Sequence, residues 1–296
     1  MNPIRTVLSA ASAAVSLRAG VTAAAILALL ASCKDQAKES AVQAVRNADT
    51  LVALVDKDIG EVERGMPEGA KRLAVLVSGS TDPKQDAAAA RKALLRVRRD
   101  VVDLGIAKST FFALADVSGI AIRNDLEEDV MAGQNLFSTF PALAKARNGY
   151  VMTTGAFPNA SNKNGPDEDW VAAVPVKRED GSPGAIFVTG WTYRYFARHL
   201  QESLKDRLVE EAKGTGNEGR LPVFYVAVFD RSGVYPAPLT PPVDEQALAA
   251  IDLVGKTAGG DAQGTAMITD RAFGWGAART PKLAPDTGVV VLRSEL

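Results

Sequence analysis

The sequence predicts an α+β protein with an N-terminal helical hairpin followed by two modules, each a five-stranded antiparallel sheet with helices. Two observations predict this fold. Apolar residues recur every three or four positions over residues 38–106, which is the spacing of a helix that buries one stripe of its surface. Beyond residue 107 this spacing gives way to short β-branched and aromatic runs, and these runs occur twice in the same order.

The N-terminal segment has the pattern of a signal peptide. Its basic start carries Arg5 and Arg18 and no acidic residue, and an apolar run extends from Ala19 to Leu30. The uncharged stretch is shorter than the about 20 apolar residues that a membrane-spanning helix needs. Length and flanking charge therefore predict that residues 1–32 form a signal peptide that is removed.

The only cysteine of the chain, Cys33, ends the stretch Leu30-Ala31-Ser32-Cys33. This stretch resembles the lipobox of bacterial lipoproteins, in which the new N-terminal cysteine takes the lipid. The resemblance implies lipidation of Cys33, attachment to a membrane through the lipid anchor, and a place in the cell envelope. Lys34 rather than an aspartate follows, which favours the outer membrane, facing the periplasm or the cell surface. Two alternatives stay open: a secreted protein cut near Ala31, and a cysteine buried in the core.

The sequence predicts that residues 33–107 form a helical hairpin that serves as a stalk. The first helix has an apolar seam with alternating spacings of three and four, formed by Val45, Ala48, Val52, Val55, Ile59 and Val62. We expect a break at Gly65-Met66-Pro67-Glu68-Gly69 and a second helix that begins at Asp82-Pro83-Lys84-Gln85. The two helices are expected to pack antiparallel and to lift the modules off the membrane. The alternative is a surface that binds a partner protein.

An internal repeat divides the rest of the chain into modules at 108–204 and 205–296. Three stretches recur in order, pairing 112–120 with 226–234, Trp170-Val171-Ala172-Ala173 with Trp275-Gly276-Ala277-Ala278, and 184–188 with 288–292. Each copy starts with an apolar strand that runs into Asp-x-Ser-Gly. The aspartate is expected to cap a tight turn there, and the glycine to accept a positive φ. Further short strands with polar turns complete a five-stranded sheet.

Three parts of the first module carry a family resemblance. They are the opening Phe111-Phe112-Ala113-Leu114-Ala115-Asp116-Val117-Ser118-Gly119, the middle stretches Ala132-Gly133-Gln134-Asn135-Leu136, Phe140-Pro141-Ala142-Leu143 and Asn148-Gly149-Tyr150, and the closing Ala173-Val174-Pro175-Val176 with Gly184-Ala185-Ile186-Phe187-Val188. Together they resemble a Cache domain, the PAS-like extracytoplasmic sensor module. The similarity spans about residues 108–200 and recurs weakly over 205–296.

The resemblance implies a sensor that binds a small molecule, often an amino acid, an organic acid or an amine, between its sheet and its loops. The Tyr/Arg/Trp/Tyr/Asp signature typical of amino-acid-binding members is absent, which argues against that ligand class. The candidate ligand-binding residues are basic or aromatic side chains on or beside the strands: Arg123, Trp170, Trp191, Tyr193, Arg271 and Trp275. The alternative for these residues is core packing, with the arginines reaching towards solvent.

Composition and spacing argue against several function classes. With 34 basic and 35 acidic residues, the chain has no basic surplus with which to bind nucleic acid. His199 is the only histidine, so we predict no metal site, no His-based catalytic group and no cofactor.

The sequence therefore predicts a lipoprotein that is not an enzyme. Its Cache-like modules are expected to bind a small-molecule ligand. Because the chain stops at Leu296, right after its last strand, we expect a partner protein to receive the signal. The alternative is a structural or interaction lipoprotein of the envelope that binds no small ligand and works through its helical hairpin.

Overall fold

The structure of the protein is a computed structural model that describes residues 10–78, 84, 86–157, 167–216 and 219–295. Its helices are α1 (Ala10–Leu73), α2 (Val75–Ser78), α3 (Ala87–Asp100), α4 (Leu136–Thr139), α5 (Tyr193–Ala212), α6 (Pro242–Ala249) and α7 (Leu253–Lys256). Its strands are β1 (Phe111–Ala115), β2 (Ala121–Asn124), β3 (Val151–Phe157), β4 (Asp167–Lys177), β5 (Pro183–Thr192), β6 (Val223–Phe229), β7 (Val234–Pro236), β8 (Ala262–Ile268), β9 (Arg271–Arg279) and β10 (Gly288–Ser294).

The strands form two antiparallel sheets with the same internal order. This order is β2-β1-β5-β4-β3 in the first sheet and β7-β6-β10-β9-β8 in the second. In each sheet the strand that closes the module lies at the centre, beside the strand that opens it. The predicted α+β fold, with N-terminal helices and two five-stranded sheets, is confirmed, and the shared strand order supports the internal repeat.

The pairing of the two tryptophans in the repeat was wrong. When Gly184 of β5 is aligned with Gly288 of β10, the registers of the neighbouring strands place Ala272, not Trp275, at the position of Trp170. Side chains alternate between the two faces of a strand, so an odd shift in alignment reverses the face. Trp170 accordingly belongs to the core that includes α1, whereas Trp275 belongs to the cluster on the opposite face of its sheet.

Both Asp-x-Ser-Gly turns are capped by their aspartates as predicted. The Asp116 carboxylate accepts hydrogen bonds from the backbone N–H groups of Ser118 and Ile120, at 2.8 and 3.0 Å. Burial raises the pKa of Asp116, but hydrogen bonds from Lys84, Ser118 and Ile120 outweigh it and hold that pKa at about 2. The glycines differ, because Gly119 has a φ of 91° and Gly233 is not among the positive-φ glycines.

Helix α1 does not break where the sequence predicted but continues to Leu73, with Pro67 on its exposed face. The two glycines of the predicted break lie on the buried face instead. A Cβ atom at Gly65 would lie 2.8 Å from the Leu104 side chain, and one at Gly69 would lie 2.7 Å from the ring of Phe187. These glycines therefore allow close packing of a continuous helix.

The helical hairpin is present, but its turn differs from the prediction. Asp82 and Pro83 lie outside the described residues. Helix α3 begins at Ala87, and the carboxylate of Asp86 caps it by accepting a hydrogen bond from the Ala89 N–H at 2.8 Å. The last turns of α1 then lie beside the segment from α3 to Leu104.

The principal partners of α1 are the two sheets, not the second helix. Its apolar stripe and side chains from both sheets form a single core, which includes Phe187 of β5 and Val289 of β10. Small residues of α1, such as Ala41 and Ala44, lie against the second sheet, and their backbone touches β9. The seam predicted from sequence is thus largely correct. The expectation of a stalk that packs mainly on itself was wrong, because α1 is a shared support for both modules.

Two sequence predictions concern the part of α1 for which side chains are not described. The signal peptide at 1–32 and the side chain of Cys33 both lie outside the described side chains, which begin at Gln36. In the part of the chain that the structure describes, no helix combines the length and the hydropathy that a bilayer crossing requires. Lipidation of Cys33 therefore stays a prediction.

Candidate functional site

The two faces of the first sheet have different coverings. One face carries Phe112, Trp170 and Phe187 and packs against α1 and α3. The other face is covered by the segment between β2 and β3, whose side chains form a separate apolar cluster that includes Phe140 and Leu143. This second face therefore lies between the sheet and the segment that covers it.

A cavity of about 230 Å³ lies at one end of this second face. We call it the first-module cavity. The segment 124–131, which we call the pocket loop, forms one wall, and the ends of β4 and β5 form another. It is lined by Ser109, Thr110, Phe111, Asn124, Leu126, Val130, Met131, Asp169, Gly190, Trp191, Thr192 and Tyr195.

Arg123 holds the pocket loop in place. Its guanidinium lies 3.0 Å from the Asp129 carboxylate and donates to the carbonyl oxygens of Leu126 and Glu127, at 3.0 and 3.3 Å. Burial raises the pKa of Asp129, but hydrogen bonds from the Asn124 N–H and from Arg123 help to lower it below its usual value. Arg123 was proposed from sequence to meet a ligand carboxylate. It does not line the first-module cavity, and its donors already serve the loop.

Asp125 ties the pocket loop to helix α3. Its side chain is buried, accepts a hydrogen bond from the Phe112 N–H at 2.7 Å, and forms an ion pair with Arg98 of α3. Arg98 also donates to the carbonyl oxygens of Lys108 and Thr110, and it lies over the Phe112 ring. The pocket loop and α3 are therefore in direct contact through this ion pair.

Two buried polar side chains line the first-module cavity. Asn124 is 1% exposed; its Oδ1 accepts from the Leu126 N–H at 2.9 Å, whereas its Nδ2 has no hydrogen-bond partner among the described residues. Asp169 of β4 is 5% exposed. Because buried polar groups are nearly always hydrogen-bonded in native proteins, the Asn124 donor is suited to a bound molecule or to water.

The predicted tryptophans form a stacked pair across β4 and β5. The rings of Trp170 and Trp191 are 4.2 Å apart and nearly parallel, and the Trp191 Nε1–H donates to the Ile106 carbonyl at 3.2 Å. Both side chains are buried, and their role in the structure is core packing. Trp191 also reaches the wall of the first-module cavity, whereas Trp170 does not.

Tyr193 lies at the contact between the modules. It is fully buried, and its ring packs edge-on against Tyr235 of the second module at 5.3 Å. Burial raises the pKa of Tyr193 well above its usual value, so the hydroxyl stays neutral. This side chain does not line the first-module cavity.

The candidates of the second module lie apart from the first-module cavity. Arg271 is exposed at the start of β9, and Trp275 packs over Gly264, where an added Cβ would lie 2.6 Å from its ring. Trp275 belongs to an apolar cluster with Phe229 and Phe273 that fills the face of the second sheet. Neither residue joins the candidates of the first module.

Sequence analysis missed three of the residues that give the cavity its chemistry: Asn124, Asp169 and Tyr195. The sequence pattern could have identified Asp169, because this acid directly precedes the apolar run of β4. The alternation of side chains along a strand places it on the same face as Val171. No comparable signal marks Asn124. Its position depends on how the pocket loop folds.

No cluster of three or more histidine, cysteine, aspartate or glutamate side chains that could hold a metal lies within the described ranges. His199 of α5 instead contacts the buried Asp58 of α1, with 3.0 Å between Nε2 and Oδ2. This pair joins α5 to α1.

Comparison with known proteins supports the fold. No protein-family model and no curated protein matches the chain. The ligand-binding domain of the Campylobacter jejuni chemoreceptor Tlp3, in complex with L-valine, has a TM-score of 0.50 and 12% identity, covering 88% of this chain and 95% of that one. A domain of a sensory box/GGDEF family protein from Vibrio parahaemolyticus has a TM-score of 0.50 and 8% identity, covering 88% and 97%. The fold predicted from the Cache resemblance is therefore confirmed: the chain has the fold of bacterial sensor domains.

Proposed function

We propose that the protein is a lipid-anchored sensor of the cell envelope, which binds a small molecule in the first-module cavity and signals to a partner protein. The cavity itself carries this proposal. Binding sites are concave and mostly apolar, with a few convergent polar groups, and this cavity combines aromatic walls with the buried Asn124 and Asp169. Its volume of about 230 Å³ suits a molecule of metabolite size.

The contacts of the pocket loop support a route for the signal that we propose. Asn124, which lines the cavity, is adjacent to Asp125, which pairs with Arg98 of α3. Helix α3 packs beside the end of α1, and α1 contacts both sheets. A ligand that favours one position of the pocket loop would thereby favour one position of these helices, and a partner that binds the helices could detect it.

The alternative function, an interaction lipoprotein that works through its hairpin, has less support. It requires that the apolar face of the hairpin be open as the main binding surface. The apolar stripe of α1 is buried against the two sheets, from Ala44 through Leu73.

Lipid anchoring is tested by the variant Cys33→Ser in the full chain. We expect the native protein to partition into membranes and the variant to be released into the soluble fraction, because only the lipidated cysteine supplies several acyl chains. The measurement is fractionation of cells in which both proteins are produced at the same level. A Cys33→Ser protein that stays in the membrane fraction would contradict the anchor.

Ligand binding is tested by filling the first-module cavity from its rim. Val130 lines the cavity and is half exposed, so Val130→Trp adds volume there without disturbing the core. Across a panel of amines, amino acids, organic acids and purines, we expect at least one compound to raise the melting temperature of the native full chain, since a ligand at 100 times its Kd adds about 2.7 kcal/mol. The increase should be lost in Val130→Trp.

The matched control is Val117→Trp, at a half-exposed valine of the same module that does not line the cavity. This variant should keep the response to the ligand. The proposed function fails if no compound raises the melting temperature of the native protein. It also fails if both variants show the same increase as the native protein.

A further inference from the structure

We infer that a second binding site lies between the end of α1 and the β3 edge of the first sheet, and that it takes a small organic acid through its carboxylate. The site is a groove of about 440 Å³, which we call the helix groove. It is lined by the end of α1, the residues just before β3 and the end of β4. It lies on the α1 face of the sheet, whereas the first-module cavity lies on the opposite face, so this inference goes beyond the proposed function.

The groove is open because the helices do not cover the edge of the sheet. Helix α1 lies over β4 and β5, and α3 lies over β1 and β2, so β3 extends beyond both. Met152 and Thr154 of β3 are on the α1 face, since they pair with Ala172 and Trp170, yet both are only half-buried. A strip of the α1 face therefore stays accessible within the described part of the chain.

The residues that flank the undescribed segments of this module lie away from the groove. Phe157 and Asp167, on either side of 158–166, pair at the start of β4, about 30 Å along this strand from Lys177. Helices α2 and α3, on either side of 79–83, lie over β5 and over β1 and β2. The charge of the groove is therefore set by described residues.

This charge is positive. Lys71 of α1 and Lys177 at the end of β4 line the groove, and its lining includes no aspartate or glutamate. Both lysines are exposed, and neither has an ion pair with a residue that the structure describes. An ammonium group is a compact point charge that attracts a carboxylate from more than one direction. The two lysines thus favour an anion over a neutral molecule or a cation.

The acids of the neighbouring segments do not cancel this charge. Glu68 of α1 is paired with Arg72, at 2.9 Å. Glu63 is near enough to raise the pKa of Tyr150, but it does not line the groove. The exposed turn 178–180 after β4 carries one arginine and two acids, none of which lines the groove either.

Tyr150 supplies a hydrogen-bond donor to the same place. It lines the groove, and its hydroxyl oxygen is buried without a hydrogen-bond partner among the described residues. Burial raises the pKa of this hydroxyl well above its usual value, so it stays protonated and can donate. Because buried polar groups are nearly always hydrogen-bonded, a carboxylate oxygen would satisfy it. The side-chain amide of Asn148, at the exposed rim, is a second donor.

The rest of the lining suits the hydrocarbon part of an organic acid. It is mostly apolar and includes Pro67 and Ala70 of α1 and Val174 and Pro175 of β4. A hydrocarbon chain or ring gains free energy when it leaves water for such a surface, and an inorganic anion gains nothing from it. The groove therefore favours a carboxylate with an apolar body.

The experiment compares matched sets of compounds on the full chain. Each set contains a carboxylate, its primary amide, which is neutral and of the same shape, and the corresponding primary amine. The carboxylates are pentanoate, benzoate and cyclohexanecarboxylate, inorganic phosphate is the anion without hydrocarbon, and calorimetry measures Kd. We expect the carboxylates to bind about ten-fold or more tightly than the amides and the phosphate, and the amines not to bind.

Two lysine variants test the charge. Lys71→Met and Lys177→Met each remove one ammonium and keep an unbranched apolar side chain. Each should lower the affinity for cyclohexanecarboxylate about five-fold. The control is Lys92→Met, which removes the same charge from an exposed position of α3 that does not line the groove. This control should bind like the native protein.

Tyr150→Phe tests the donor and separates binding from stability. The substitution removes only the hydroxyl, which has no partner among the described residues, so the melting temperature of the free protein should stay the same or rise. The affinity for cyclohexanecarboxylate should nevertheless fall about ten-fold. A lower melting temperature with unchanged affinity would show that the hydroxyl serves the fold, and would overturn its role in binding.

The outcomes separate this site from the first-module cavity. Equal affinities for the carboxylates and the amides, or for the carboxylates and phosphate, overturn the inference, as do equal affinities of all three lysine variants. Loss of carboxylate binding in Val130→Trp, with binding kept in Lys71→Met and Lys177→Met, places the acid in the first-module cavity; this result overturns the inference and leaves the proposed function standing. If no carboxylate binds, the inference fails, and the response of the broad panel in Val130→Trp still decides the proposed function.

Discussion

Replacing Gly276 by alanine is expected to destabilise the protein by about 3 kcal/mol, at the upper end of the cost of overpacking a core. The cause is a contact between backbones. A Cβ atom added at Gly276 would lie 2.2 Å from the Val45 N atom and 2.4 Å from the Ala44 carbonyl carbon of α1. No flexible side chain can move out of the way there, so α1 itself would have to shift away from the second sheet.

The neighbouring Gly274 offers a second test of the same contact. A Cβ atom there would lie 2.0 Å from the Ala41 N atom, so Gly274→Ala should have a similar effect. The measurement for both variants is the free energy of unfolding in urea, from which the change in midpoint gives the change in stability.

Gly259→Ala is the matched control, because an added Cβ meets nothing within 4 Å and the residue does not have a positive φ. Its effect should stay within about 0.5 kcal/mol. If Gly276→Ala unfolds at the same urea concentration as Gly259→Ala, then α1 does not pack on the second sheet as the structure shows.

The glycines explain why the sequence predicted the buried stripe of α1 well but its end and its partner badly. The spacing of Val55, Ile59 and Val62 requires a buried stripe but does not say what covers it. Gly65 and Gly69 can end a helix or bring it close to a neighbour, and only the position of Leu104 and Phe187 decides between the two. Information of this kind is not local to the helix.

The site, too, could be predicted only where it depends on local sequence. The capped turns were recognised because they depend on residues that are close in sequence, and the internal repeat because short stretches recur in the same order. The face on which Trp170 lies depends on strand register, and the alignment with Trp275 was shifted by an odd number of residues. The role of Arg123 could not be predicted from the sequence either. Its ion-pair partner, Asp129, lies in a loop that has no regular sequence pattern.

Breaking the ion pair between Arg98 and Asp125 is the second change with a large expected effect. Arg98→Met leaves the Asp125 carboxylate buried without its cation, and removal of one partner from a buried pair costs about 3–5 kcal/mol. The variant should also weaken ligand binding, because Asp125 fixes the position of the pocket loop next to Asn124. Urea unfolding and calorimetry with the tightest-binding compound measure the two effects.

The adjacent Arg99→Met is the control, since Arg99 is 72% exposed and its ion pair with Asp100 is at the surface. Surface pairs contribute little, so this variant should unfold and bind like the native protein. Asp125→Asn added to Arg98→Met should restore part of the lost stability, because an asparagine oxygen can still accept the Phe112 N–H while no charge stays buried. If the double variant is less stable than Arg98→Met alone, the uncompensated charge is not the cause, and the coupling between the pocket loop and α3 must depend on other contacts.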